Sequence, residues 1–323
     1  MDNQISYETA PSGVLKASEL PEAQEAAEVQ ATAEPVTWKD YYQLTKPGLI
    51  YSNSMTAFAG FWVASKWNID WLLLLYTLVG TALVMASGTV LNNYLDRDRD
   101  AKMERTQNRA LPSGRMKPNT VLTYGITLGV LGLGTLYLLA DSPLAALLGL
   151  IGLFLYVWVY TAWFKRTSVW GTFVGAFSGA VPPVIGYCTV SGTFDLGAVL
   201  LFLFLFLWQP PHFWALGIRR MEEYRAADFP LLPVVKGTYI TKKSMLRYVV
   251  LLVPVTVMLT AFGYLGYTFL FVSTAMGLIW VFMTVKGFSA HGDAEVKWAK
   301  GMFVFSINYL TLLSILMVFS TLK

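Results

Sequence analysis

Long apolar runs recur along the chain near residues 47–66, 71–94, 120–140, 143–164, 169–190, 195–217, 245–263, 266–286 and 301–321. A bilayer core takes about 20 mostly apolar residues per helix, so the pattern predicts an all-α, polytopic membrane bundle of about nine transmembrane helices. Glycine recurs inside several runs (Gly125, Gly129, Gly132 and Gly134; Gly171, Gly175 and Gly179), which lets helices approach closely. Pro182-Pro183 and Pro210-Pro211 are expected to interrupt two of the helices. Such breaks are tolerated at membrane depth where the freed backbone lines a cavity; the plainer alternative is a kink.

The polar segments between runs differ sharply in charge. Arg97, Arg99, Lys102, Arg105, Arg109, Arg115 and Lys117 follow the second run, and Arg219, Arg220, Arg225, Lys236, Lys242, Lys243 and Arg247 follow the sixth. Lys165 and Arg166 follow the fourth, and Lys286, Lys297 and Lys300 the eighth, whereas the opposite side keeps only Lys66 and Lys323. By the positive-inside rule the N-terminus is cytoplasmic and the C-terminus outside. The two largest polar loops then both face the cytoplasm.

Composition agrees with lipid as the solvent: 55% of the 323 residues are hydrophobic and 14% charged, against about a quarter charged in an ordinary soluble domain. Residues 1–36 stand apart. They hold Asp2, Glu8, Glu19, Glu22, Glu25, Glu28 and Glu34 against Lys16, with no apolar period, and read as a disordered acidic tail ahead of a membrane domain over 37–323. The tail lacks the apolar core of a signal peptide and the arginine-rich, acid-poor character of a transit peptide, which favours a bacterial cell membrane. The lone Cys188 lies in an apolar run, so a disulfide framework is excluded and a buried thiol expected.

Candidate chemistry gathers at the predicted cytoplasmic rim. Asn92, Asp96 and Asp100 are spaced i, i+4, i+8 and fall on one stripe if the second helix continues through them. Such a stripe suits a hard cation such as Mg²⁺, which takes one or two carboxylates and completes its shell with water and phosphate oxygens. A solvated helix end laced with salt bridges is the alternative reading. Asp98 should fall on the opposite side and pair with a neighbouring arginine. Arg105 and Arg109 read as counter-charges for the anion such a metal brings, and Lys165-Arg166 as either phosphate contacts or an interfacial anchor. Glu222, Glu223, Tyr224 and Asp228 form a second acidic cluster after the sixth run, able to hold a second Mg²⁺ across a diphosphate, where the ions would offset charge building on the leaving group. No Walker-type loop is present, which leaves nucleotide triphosphate hydrolysis unsupported. Of the two histidines, His291 lies in a polar stretch and reads as solvated, whereas His212 lies among aromatics at the end of the sixth run. An ionisable residue there is a functional candidate: a ligand to iron, an acceptor-orienting group or a proton acceptor, with a structural hydrogen bond as the alternative.

These residues resemble the protoheme IX farnesyltransferase (heme O synthase) family within the UbiA superfamily of intramembrane prenyltransferases. The likeness covers roughly residues 40–320. It rests on Leu44-Thr45-Lys46-Pro47, on Asn92-x-x-x-Asp96-x-x-x-Asp100, on Arg105-Thr106-x-x-Arg109 leading into Leu111-Pro112-Ser113-Gly114, on Tyr160-Thr161 with Lys165-Arg166, on His212-Phe213-Trp214, and on the block from Pro230 to Gly237. The acidic stripe indicates only the superfamily, while the last two blocks point to the heme branch. Gly48, Glu223 and Leu231 depart from the pattern, which usually has Arg, Asp and Met there.

The resemblance implies transfer of farnesyl from farnesyl diphosphate to the 2-vinyl group of heme B, giving heme O. Mg²⁺ would assist diphosphate departure, the vinyl carbon would attack the allylic cation, and water would leave a hydroxyethyl link. Asn92, Asp96 and Asp100 would bind the metal-diphosphate, with Glu223 and Asp228 at a second metal site. Arg105, Arg109, Lys165 and Arg166 would serve as charge partners, and Asp96, Asp100, His212 and Tyr224 as the catalytic set. The implied partners are farnesyl diphosphate, heme B, the lipid bilayer and a downstream heme A synthase; no nucleic acid is implied. Two other readings are a prenyltransferase acting on a quinone or phenolic precursor, and a transporter of an anionic substrate. The gathering of charge at one rim, with little polar path across, speaks against the transporter.

Overall fold

The computed structural model describes residues 35–323, and the acidic tail falls almost wholly outside them. The described residues are nearly all helical, with a single isolated bridge between Leu265 and Thr321. A short helix α1 (Trp38–Leu44) buries Asp40 and Leu44 and exposes Trp38 and Tyr42. There follow α2 (Pro47–Ser65), α3 (Trp71–Asp100), α4 (Pro118–Leu139), α5 (Pro143–Thr167), α6 (Gly171–Ser191), α7 (Leu196–Arg219), the short α8 (Met221–Ala226), α9 (Leu232–Ala261), α10 (Tyr267–Ser289) and α11 (Asp293–Ser320).

Eight of these helices are long and apolar enough to cross a membrane, so the protein is multi-pass. The expected ninth span, α2, is a 19-residue helix that falls short of that group, its apolar run diluted by Ser52, Asn53, Ser54 and Thr56. It packs against α3, α6 and α11. Because α11 also packs on α7 and α10, and α7 on α9, the last long helix returns to the first and closes the bundle. The α2–α6 contact depends on two glycines: a Cβ at Gly60 would run into the Pro183 carbonyl, and one at Gly186 into the Ala57 carbonyl. Helices thus touch backbone to backbone where lipid offers no hydrophobic drive to bring them together.

The two proline pairs behave differently. Before Pro182-Pro183 the helix breaks at Ala180 (φ −84°, ψ −6°), separating Gly171–Gly179 from Val181–Ser191. At Pro210-Pro211 the expected interruption does not occur, and α7 runs unbroken from Leu196 to Arg219. Proline fixes φ near −65°, which is helical, and the donors the pair lacks are its own two backbone N–H groups. Buried Leu207, Trp208, Trp214 and Ala215 hold the helix on both sides of the pair. The Gln209 side chain beside it donates to the carbonyls of Leu205 (3.1 Å) and Ala176 (3.2 Å). In α9 the helix is instead divided at Gly237, whose φ of 77° suits glycine.

What positions the site is the length of α3. Asp70 caps it by accepting from the amides of Leu72 and Leu73, each at 3.0 Å. Thirty residues at 1.5 Å rise extend about 45 Å, well beyond a hydrocarbon core of about 30 Å. Its last turns, carrying Asn92 to Asp100, therefore emerge as a continuous helix among the basic loops.

Candidate active site

The stripe forms as the spacing predicts. Asn92, Asp96 and Asp100 are all buried on one side of α3. Asn92 Nδ2 donates to Asp96 Oδ2 at 2.8 Å and to Thr161 Oγ1 at 3.1 Å. Every acid of the stripe also meets a cation from another segment. Lys165 pairs with Asp96 Oδ2, and Arg166 Nη2 lies 3.5 Å from Asp96 Oδ1. Arg109 Nη1 donates to Asp100 Oδ2 at 3.0 Å and to Asn93 Oδ1 at 3.1 Å. Lys46 Nζ donates to Asn92 Oδ1 at 2.6 Å.

Local structure aims these cations. Lys46 sits between α1 and α2 in the left-handed region (φ 51°, ψ 64°), a sparsely populated conformation for a non-glycine residue. The Asn93 amide fixes that turn from below, donating to the Leu44 carbonyl at 2.8 Å. Burial, and then repulsion from Lys165 and Arg109, pushes the Lys46 ammonium down to about 7. Burial likewise lowers Arg109 below the usual guanidinium range. More positive charge is crowded here than the stripe neutralises, the condition of a site shaped for a further anion. On α5 a π-helical stretch, Leu155–Phe164, presents Thr161 to Asn92 and delivers Lys165 to Asp96. Such stretches are frequent at functional sites.

Asp98 does lie off the stripe and is largely exposed, but its partner is on another helix: Arg166 donates to both its oxygens, at 2.7 and 3.1 Å, in place of the expected neighbouring arginine.

The second acidic cluster is not assembled as expected. Glu222 pairs with Arg225 at the surface. Asp228 is exposed, with a positive φ of 56°, and accepts from Lys102 at 2.8 Å, which holds its carboxyl below the usual range. Glu223 accepts from Arg220 at 3.2 Å and stands 4.0 Å from Arg105, so it alone turns toward the first cluster. Tyr224 packs on Phe229, in a small core with Met103 and Ala227. Among the described residues no group of three or more His, Cys, Asp or Glu side chains could by itself hold a metal ion. The short α8 spends its acids on local arginines, and the outward turn at Asp228 takes that carboxylate away from the stripe. The first cluster still fits Mg²⁺. It offers an amide oxygen and two carboxylates on one face, all now satisfied by ammonium or guanidinium groups. That is the partial donor set Mg²⁺ uses when a phosphate supplies the rest.

His212 lies elsewhere, in the packing of α7 on α11. Its ring is stacked between Trp208 (4.5 Å) and Phe303 (4.6 Å), and Nδ1 is 2.7 Å from Ser306 Oγ. His291 is exposed in the turn before α11, and Cys188 is a buried thiol, both as expected. Lys46, Asn93 and Thr161 join the site although the spacing of charged residues did not single them out. Lys46 and Thr161 stand in the sequence only as members of the Leu44–Pro47 and Tyr160-Thr161 motifs, and Asn93 as a second Asn beside Asn92.

The sequence model of the UbiA prenyltransferase family matches residues 53–307. Protoheme IX farnesyltransferase 1 of Bacillus subtilis (strain 168) is 52% identical over 87% of this chain and 90% of its own. Protoheme IX farnesyltransferase of Yersinia pseudotuberculosis serotype O:1b is 47% identical over 86% and 94%. Among solved structures, one reported for digeranylgeranylglyceryl phosphate synthase aligns with a TM-score of 0.71 at 20% identity, covering 87% of this chain and 98% of that one. A UbiA homolog from Archaeoglobus fulgidus bound to GPP and Mg²⁺ aligns at 0.64 and 17%, covering 86% and 99%. These two likenesses speak to the fold, and the fold, the family match and the close relatives agree: the chain belongs to the UbiA prenyltransferase family.

Proposed function

We propose that this chain transfers the farnesyl group of farnesyl diphosphate to the 2-vinyl group of protoheme IX, giving heme O and diphosphate. One observation carries the chemical half: a buried Asn92–Asp96–Asp100 stripe faced by Lys46, Arg109 and Lys165 at one end of an apolar bundle. The choice of acceptor is supported by close relatives named for protoheme IX. Asn92, Asp96 and Asp100 would hold Mg²⁺, which when bound would supply positive charge to offset that building on the diphosphate leaving group. Lys46, Arg109 and Lys165 turn from oxygens of α3 to oxygens of the diphosphate, while Arg105 links Glu223 to the same anion and Arg166 keeps the end of α5 against Asp98. The farnesyl carbon released from oxygen bonds to the terminal vinyl carbon. Water then adds to the other carbon and its proton leaves to solvent.

The remaining assignments belong to the same proposal. Tyr224 stands beside the second loop's contact with the site, and His212 orients the acceptor. The membrane domain, 37–323, carries the activity, with the acidic tail outside it. The enzyme lies in a bacterial cytoplasmic membrane with the basic loops and active site on the cytoplasmic side, and a heme A synthase takes up the product. The test is expression in membranes supplied with farnesyl diphosphate and heme, followed by mass analysis of the extracted pigment. A heme heavier by one farnesyl group and one hydroxyl group is expected. Unmodified heme beside a prenylated phenol would move the acceptor to the quinone class, and no prenylated product at all would overturn the proposal.

A further inference from the structure

Helix α3 ends with two arginines whose surroundings differ. Arg97 is exposed, lies over the Tyr94 ring at 4.7 Å and donates to the Tyr94 carbonyl at 2.6 Å. Arg99 folds inward. Its guanidinium lies 4.8 Å from the centroid of the Phe229 ring, Nη2 reaches the Arg166 carbonyl at 3.4 Å, and Nη1 is buried without an acceptor among the described residues. Lys46 donates to the neutral Asn92 Oδ1, and five further cations around the stripe each have an acidic partner: Lys165 with Asp96, Arg166 with Asp98, Arg109 with Asp100, Lys102 with Asp228, and Arg105 near Glu223. Among the described residues Arg99 has no carboxylate within ion-pair reach, and it is the cation of this group with a buried nitrogen left without an acceptor. A buried charged donor left unpaired bears the full cost of its lost hydration, and native structures seldom leave one so without a use.

The placement supplies that use. Arg99 is one residue before Asp100 and three after Asp96, so on the helix it flanks the metal-type stripe. The ring it lies over is shared: Lys165 Nζ, the partner of Asp96, is 4.9 Å from the same Phe229 centroid. Phe229 belongs to the loop between α8 and α9, so one aromatic ring holds two cations of different helices beside the acids. Stacking fixes the guanidinium plane while leaving its edge free to donate.

We propose that Arg99 is a further substrate-binding residue of this site, its Nη1 donating to an anionic oxygen of a substrate. The oxygen belongs either to the phosphate of the prenyl diphosphate or to a carboxylate of the porphyrin acceptor, since a guanidinium edge suits both. The proposal rests on the transferase reading above.

The test uses the purified full chain and Arg99→Leu, which keeps an apolar contact with Phe229 and removes the donors. Two titrations are run on each in the presence of Mg²⁺: farnesyl diphosphate by calorimetry, and heme by its Soret absorbance, the latter repeated with heme dimethyl ester. A diphosphate contact raises the farnesyl diphosphate Kd of the variant at least tenfold and leaves heme binding unchanged. A carboxylate contact raises the heme Kd instead, and the wild-type protein then binds the dimethyl ester as weakly as the variant binds heme. Wild-type affinity for both ligands in Arg99→Leu overturns the assignment and leaves the residue as packing for Phe229. Should that variant not accumulate, Arg99→Gln is read by the same titrations and criteria. A wild-type protein that binds neither ligand overturns the transferase reading itself.

Discussion

The Lys165 ammonium donates to the Asp96 carboxylate and so joins the end of α5 to the end of α3, with the acid only 2% exposed. The pair supplies a partner to a buried carboxyl group that would otherwise be left without one at great cost. It also stores a cation beside the metal-type stripe, ready for an arriving anion. Either partner alone would leave an uncompensated charge, which is more damaging than losing both.

Asp96→Asn and Asp100→Asn are therefore better probes than alanine, because they keep the volume and some hydrogen bonds. On the proposed reading each would remove a ligand for Mg²⁺ and with it several kcal/mol of leaving-group stabilisation. At about 1.36 kcal/mol per tenfold in rate, farnesyl transfer should fall roughly a thousandfold while the protein still accumulates in membranes. Activity measured per mole of inserted protein checks this, and a loss below tenfold would remove these residues from the chemistry.

Asp98→Ala is the matched control. Its carboxylate is 58% exposed and bound to Arg166 off the stripe, and exposed ion pairs contribute only about 0–1 kcal/mol. Transfer rate and accumulation should stay within a few-fold of wild type. A loss equal to that of Asp96→Asn would mean that Asp98 reaches the diphosphate.

The helices and the stripe were legible because both rest on period: apolar runs of membrane length, and oxygen-bearing residues at i, i+4, i+8 on a helix that continues through them. Two local readings failed where tertiary packing decided the outcome. Pro210-Pro211 sits in a helix gripped on both sides and does not break it, whereas Pro182-Pro183 follows a real break at Ala180. Glu222 and Asp228 form a cluster in sequence but not in space, since a short helix and a left-handed turn send their carboxylates outward. Lys46 was hidden for the opposite reason. Its link to Asn92 spans 46 positions of sequence and depends on a strained backbone turn, which no periodicity reveals.

Orientation follows from loop charge and is open to direct measurement. Ion pairs from Arg115 to Asp40, Arg166 to Asp98 and Lys102 to Asp228 draw the basic segments together at one end of the bundle, and the proposed orientation, by the positive-inside rule, would put that end in the cytoplasm. Reporter fusions after residue 118 and after residue 240 should report cytoplasmic, and a fusion at the C-terminus should report the outer side. A cytoplasmic signal from the C-terminal fusion would refute the N-in, C-out arrangement.

His212 separates acceptor chemistry from diphosphate chemistry. Trp208 and Phe303 cover both faces of its ring and Ser306 meets Nδ1, so Nε2 is the nitrogen left to orient an acceptor. Alanine would empty the stack and confuse packing with function. His212→Phe keeps an aromatic ring between the two neighbours and removes the nitrogens, and is expected to accumulate normally. If the histidine orients heme, this variant should bind farnesyl diphosphate as tightly as wild type yet convert heme at least tenfold more slowly. Ser306→Ala, which frees Nδ1 without touching the ring, should give a smaller loss of the same kind. Asp96→Asn should do the reverse and weaken diphosphate binding. Full conversion by His212→Phe would make the residue part of the α7–α11 packing, and weakened diphosphate binding in that variant would place it at the phosphate end.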